Sequence, residues 1–315
     1  MSSVLNASRA LLIAGLLLGG PGPAFAVTVP LPSNVDGDLR IESDQVAQLR
    51  EDVLVSGTLT FEAGSRLEIR AVKPVALIVR GKLLVSGTQK QPVLLGAGAM
   101  RPGRWKGVLV DGQIKLSWAT IQGAETGITA RKGSTVELDS VMVRWCNMGI
   151  SAINNITLDN CLIAKNSGDG VYVVSDNVVL RKTSLLLNDG WGLRTGHHPT
   201  VKLEECTVIG NSAGGLRLGS TEGKDASCEA TKCNIHDNGS VDISNADRGR
   251  EVKVDGCYLG ATTTREIERK GEKANLTRII DLFDGAVAPV TLSNTAKEKI
   301  KDAGCSLDTR WLRHR

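Results

Sequence analysis

NCLIAKNSGDGVYVVSDNVVLR (160–181), KTSLLLNDGWGLRTGHHPTVKLEE (182–205) and CTVIGNS (206–212) are successive versions of one phrase. A small core-compatible residue, Cys161, Thr183 or Cys206, is followed five positions later by Asn166, Asn188 or Asn211, and Cys233 with Asn238 repeats the pair. The asparagines therefore recur at 22, 23 and 27 residues. A phrase returning at that interval is one structural coil stacked on the next, each unable to bury its apolar face alone.

Each coil holds three short β-prone runs. In the first these are Leu162-Ile163, Val171 to Val174 and Val178 to Leu180, parted by the polar turns Asn166 to Asp169 and Ser175 to Asn177. These connections are too short for the crossover that joins parallel neighbours in an ordinary α/β sheet. The pattern predicts an all-β, single-stranded, right-handed parallel β-helix, with equivalent residues stacked in ladders along its axis. At a tight turn the repeated Asn can bond the backbone and the Asn of the next coil, satisfying groups that burial would orphan. Trp145 stands at this position one coil earlier, so the ladder is expected to begin at Asn166.

Working outward, GTLTFEAGSRLEI (57–69) and GKLLVSGTQKQPVLL (81–95) share a strand-turn-strand rhythm, which carries the solenoid back to about Val53. The expected organisation is a secretory signal peptide over 1–26, an N-terminal cap over 27–52, the β-helix over 53–260 and a C-terminal cap over 261–315. The leader is read from Arg9, the apolar run Leu11 to Leu18 and the small-residue end at Ala24-Phe25-Ala26. That run is far short of the ~20 residues a membrane helix needs, so a secreted or periplasmic protein is expected. In the cap, Asn294 to Gly304 reads as a short helix with Asn294 as N-cap.

Composition excludes some functions. The formal charge of +4 is too mild to indicate a nucleic-acid partner. Gly is abundant at 35 residues and aromatics are only 3%, which suits aliphatic ladders and many turns. Of the seven cysteines, Cys161, Cys206, Cys233 and Cys257 share one repeat position and read as a buried stack of small hydrophobes. Coils lie about 4.8 Å apart, so spacing alone leaves open a bond between Cys206 and Cys233 or between Cys233 and Cys257. Cys228, Cys233 and His236 fit no zinc spacing, and no metal site is expected.

Alternation in the middle strands places Ile150, Val171, Leu193, Leu216 and Val241 inward. It sets Ser151, Tyr172, Arg194, Arg217 and Asp242 outward in one column. With Trp191, His197 and His198 nearby, Tyr172, Arg194 and Arg217 could hold an acidic sugar: guanidinium grips carboxylate and aromatic rings stack on sugar rings. Solvent-facing strand positions also simply need polar residues, which is the plainer account of the same column. Asp169, Asp189 and His197 are the candidates for acid or base chemistry. An Asp beside Gly is equally what such a turn requires.

GTLTFEAGSRLEI, LIVRGKLLVSGTQKQPVLLGAG (77–98) and GRWKGVLVDG (103–112) resemble the first coils of bacterial right-handed parallel β-helix repeat proteins of the pectin-lyase-like superfamily. The Asn-x-x-Gly-apolar coils from 140 to 245 resemble the same group, and CYLG (257–260) followed by IIDLFDGAVAPV (279–290) is similar to its closing motif. The resemblance is specific to the fold and does not fix function; a polysaccharide partner is expected from the resemblance together with the Tyr172, Arg194 and Arg217 column. Polygalacturonase-like relatives use clustered aspartates; here Ser167-Gly168-Asp169-Gly170 offers one, and the Asn-Thr-Asp and Arg-x-Lys motifs are missing. The Asp-Pro-His-Asp run of epimerases is also absent. The leading expectation is an exported β-helix that binds or organises a polysaccharide without a reaction, and without a cofactor. Alternatives are a lyase, hydrolase or epimerase acting on an acidic glycan, with calcium only in the lyase case, and a purely structural envelope or matrix protein.

Overall fold

In the computed structural model, residues 27–98, 101–174, 177–196, 200–219, 227–246, 251–272, 276–281 and 290–313 are described. The expected leader and His197 and His198 lie outside them. Short strands with a two-residue side-chain period cannot bury both faces alone, so successive coils stack and pair in parallel register. The result is a right-handed parallel β-solenoid of about nine turns. Among the described residues sheet A has ten strands, and sheets B and C have eleven each.

The inward ladders are aliphatic. Ile121, Val143, Ile163, Leu185, Val208 and Ile235 follow one another in sheet A. Ile128, Ile150, Val171, Leu193, Leu216 and Ile243 do so in sheet B. All are fully buried or within one percent of it, and each such side chain stabilises the fold by about 1.5–3 kcal/mol. Phe61 and Trp105 are the large aromatic exceptions in this core; the Trp105 indole donates to the Gln122 carbonyl at 2.9 Å.

Single residues in the left-handed region make the corners on both sides of sheet A. On one side Trp118, Ser140, Asn160, Lys182, Glu205 and Lys232 have φ between 44° and 56°; on the other Trp145, Lys165, Leu187 and Asp237 have φ between 52° and 55°. One such residue turns the chain, and its N–H bonds the next coil, as Lys182 does to the Glu204 carbonyl at 2.9 Å. L-residues meet a penalty of roughly 1–2 kcal/mol there, which the axial hydrogen bonding and the buried ladders offset.

Coiling is not confined to 53–260. Val27–Pro30, Asn34–Val35 and Asp38–Ile41 already pair with the following coil, so the region expected as an N-terminal cap is itself the first rung. Beyond 260, Ile279–Asp281 extends sheet B and Val290–Ser293 extends sheet C. The helix expected at 294–304 is not formed. A helix, α1, spans Gly260–Lys270 instead, where the charged Thr-Arg-Glu run has no strand alternation; Gly260 and Thr263 are buried and Ile267 packs against the core. Residues 300–306 run as a strap across the outer surface of sheet A, with a turn at Lys301 and Asp302. Their main chain bonds Asn234, Thr207, Glu205, Ser184 and Asn160 on successive coils.

The four asparagines form one line. Each Nδ2 donates to the Oδ1 of the next: Asn166 to Asn188 at 2.8 Å, Asn188 to Asn211 at 2.9 Å and Asn211 to Asn238 at 2.9 Å. The backbone N–H of each residue donates to the same oxygen, and each Nδ2 also reaches a carbonyl of its neighbourhood, as Asn211 does to Leu185 at 3.0 Å. Cys146 N–H closes the first end by donating to Asn166 Oδ1 at 3.0 Å. Cys161, Cys206, Cys233 and Cys257 are buried, and these four are present as free thiols.

Candidate functional site

Sheet B carries one outward column with Leu54, Ile78, Leu109, Thr129, Ser151, Tyr172, Arg194, Arg217 and Ser244 in pairing register. Asp242 is not in it. The residue beside Arg217 is Ser244, the inward residue is Ile243 rather than Val241, and Asp242 is wholly buried. Each ladder asparagine precedes its inward sheet B residue by the same interval (Asn166 to Val171, Asn188 to Leu193, Asn211 to Leu216), and that count applied to Asn238 reaches Ile243. The signal was in the sequence. Asp242 takes the next place in the amide ladder, accepting from Asn238 Nδ2 at 2.9 Å.

The remaining column residues do meet. The Arg194 guanidinium lies 4.3 Å from the Tyr172 ring centroid, and Arg217 lies 5.7 Å from that of Trp191. Trp191 opposes Gly214 on the next coil, and a Cβ on Gly214 would enter the indole. The glycine is what lets the ring lie flat along the solenoid beneath Arg217. Cation and ring contacts of this kind contribute about 0.5–1 kcal/mol where exposed, enough to hold a side chain in place.

Asp169 sits differently from a free acid. It is buried at the turn before sheet B; Oδ1 accepts the Trp191 N–H at 2.9 Å, and Oδ2 lies 2.6 Å from Arg194 Nε. The Arg194 N–H is not aligned on that oxygen, so the contact is an ion pair rather than a directed hydrogen bond. A side chain at Gly190 would collide with Asp169, so this glycine keeps room for the carboxylate. Asp189, one coil on, is exposed and offers its backbone N–H to the Asn166 carbonyl.

Charge is thereby distributed unevenly. Arg194 is matched by Asp169, whereas Arg217 is exposed and has no carboxylate within ion-pair distance among the described residues. The sequence placed both arginines on one column and did not foresee that a buried aspartate from the neighbouring coil would neutralise one of them. Among the described residues no three His, Cys, Asp or Glu side chains are grouped to hold a metal. Cys228 and Cys233 face the core from separate strands and corners.

Residues 107–259 match the family described as the right handed beta helix region. The match covers just under half of the chain, whose fold is a right-handed parallel β-helix. The match spans the coils that carry the column and the amide ladder, and is consistent with the pectin-lyase-like group. No curated protein and no solved structure matches this β-helix chain. No helix among its described residues is long and apolar enough to cross a membrane.

Proposed function

We propose that the β-helix is an exported polysaccharide-binding protein whose contact surface is the sheet B face around Tyr172, Trp191, Arg194 and Arg217. The observation carrying this reading is the pair of ring-supported guanidiniums on adjacent coils, of which one keeps an unmatched charge. A polysaccharide presents equivalent groups at regular intervals, and a column with one residue per coil offers contacts at about 4.8 Å intervals. Arg217 would take the anionic group and Trp191 a sugar face. Export rests on the leader-like residues 1–26.

The chemistry favours binding over turnover. An acid or base must have a proton position free, and Asp169 already serves Arg194 and the Trp191 N–H. A glycan array probed with the mature protein and with Arg217→Ala tests the reading. Retention of acidic glycans that falls at least tenfold in the variant supports it. No retention, or equal retention, overturns it. Release of unsaturated or reducing ends from pectate or alginate, abolished by Asp169→Asn, would replace it with catalysis.

A further inference from the structure

The strap that covers sheet A is held in an unusual way for a chain terminus. Asn234 makes a two-point contact with the main chain of Ile300: Nδ2 donates to the carbonyl at 2.9 Å and Oδ1 accepts the N–H at 2.9 Å. Thr207 Oγ1 donates to the Ala303 carbonyl at 2.9 Å, Ser184 Oγ accepts from Cys305 N–H at 2.9 Å, and Asn160 Oδ1 accepts from Ser306 N–H at 2.7 Å. Four side chains on four successive coils thus read backbone atoms of one peptide segment. They are set at coil spacing by the same register that builds the fold.

Two positions of the strap are read by shape. Gly304, at φ 102°, crosses so close to Ser184 Oγ and Thr207 Oγ1 that a Cβ would lie 2.7 and 2.8 Å from them. Three residues later Leu307 lines a cleft of about 290 Å³ with Pro92, Trp118 and Met142. The crossing therefore selects glycine, Leu307 adds to the apolar lining beside it, and the groove is otherwise tolerant because its polar contacts go to main chain. Ser184, Thr207 and Asn234 are buried although they face outward, which marks the groove as a built surface rather than an incidental contact.

We propose that the outer face of sheet A is a peptide-binding groove, closed in cis by residues 300–308, which accepts the same segment from a second copy of this chain when its own strap is lifted. The complementarity on view is to this tail, so an identical tail is the occupant the groove fits. In cis the tail is present at an effective concentration on the order of millimolar, so exchange between copies needs a weakened strap or a high protein concentration. This use of sheet A is independent of the sheet B reading.

The test uses a fluorescein-labelled peptide of residues 298–309 and the full chain as wild type, Cys305→Pro and Gly304→Val, both of which alter the strap and leave the groove side chains intact. Strap release is followed by tryptic cleavage after Lys301, and peptide binding by anisotropy. Both variants should lose protection at Lys301 and bind the peptide at least tenfold more tightly than wild type, and a peptide carrying Gly304→Val should not bind. The proposal fails if the released variants do not bind the peptide. It fails equally if both peptides bind alike, or if Lys301 stays protected in both variants. Cys305→Pro removes the N–H that Ser184 accepts and retains Gly304, so an effect in both variants separates strap release from misfolding at the crossing.

Discussion

Asn238 donates from Nδ2 to Asp242 Oδ1 at 2.9 Å, so the buried line of side-chain amides ends on a carboxylate. Every amide in the line points its donor the same way, and the last acceptor is the only charged one. Arg278 answers that charge, reaching Asp242 Oδ1 from Nη2 at 3.2 Å and bonding Asn238 and Gly239 carbonyls. Asp242 in turn holds the arginine's pKa above its ordinary value through their hydrogen bond.

Asp242→Asn should therefore destabilise the C-terminal coils by about 3 kcal/mol, because it leaves a partly buried guanidinium uncompensated. Arg278→Met should cost a similar amount. Denaturant midpoints of the two single variants and the double variant would show strong non-additivity, with the double little worse than either. Additive losses would contradict the pairing.

Within the ladder, Asn211→Ala removes both the acceptor for Asn188 and a donor to Asn238 and Leu185. Each orphaned buried group costs about 1–3 kcal/mol, so a loss of at least about 3 kcal/mol is expected in chemical denaturation. An exposed control such as Asp189→Ala should change little.

At the corners, Lys182→Gly should stabilise by up to about 1 kcal/mol. It relieves the left-handed penalty against a smaller entropic loss, and gives up only the exposed pair with Glu205 at 3.8 Å. Thermal denaturation reads the sign.

Acid should loosen the C-terminal end first. Ser293 and Asn294 hydroxyl and amide donors hold the Asp255 carboxyl below its usual value, and Thr277 does the same for Glu266. A depressed carboxylate contributes stability that is full above the unfolded value and is lost as pH falls through the folded one. Amide-exchange protection around 277 and 293 should fall as pH drops below about 4, while protection around Asn188 and Asn211, whose contacts carry no titrating group, persists.

The thiols should be inert in the folded chain. Burial pushes Cys146 up to about 12 and Cys161 higher still, so a thiol reagent at pH 8 should modify partly exposed Cys305 first and the others only on unfolding. A reducing agent should leave the melting midpoint unchanged; a shift would mean that Cys206 and Cys233 are bonded.

What recurs every coil could be read in advance. The Asn line, the cysteine stack and the Tyr172, Arg194 and Arg217 column follow from repetition, which converts a sequence interval into contact. Features made once could not. The strap joins Ile300 to Asn234 and Ser306 to Asn160, contacts with no periodic trace. The Asp169 to Arg194 pair links a turn to a strand one coil away. Both arise from side-chain placement that alternation alone does not specify.

The one-residue corners flanking sheet A have a consequence for how such a rod can vary. In the central coils the interval from sheet C into sheet A is constant: Leu158 to Ile163, Leu180 to Leu185 and Leu203 to Val208 are each five residues. From sheet B into sheet C it stretches from seven residues, Val171 to Val178, to twelve, Leu216 to Cys228. In these central coils added length thus goes to one edge, the one bordering the Arg194 and Arg217 face. Insertions there can diversify what borders that face while leaving the stack of coils untouched.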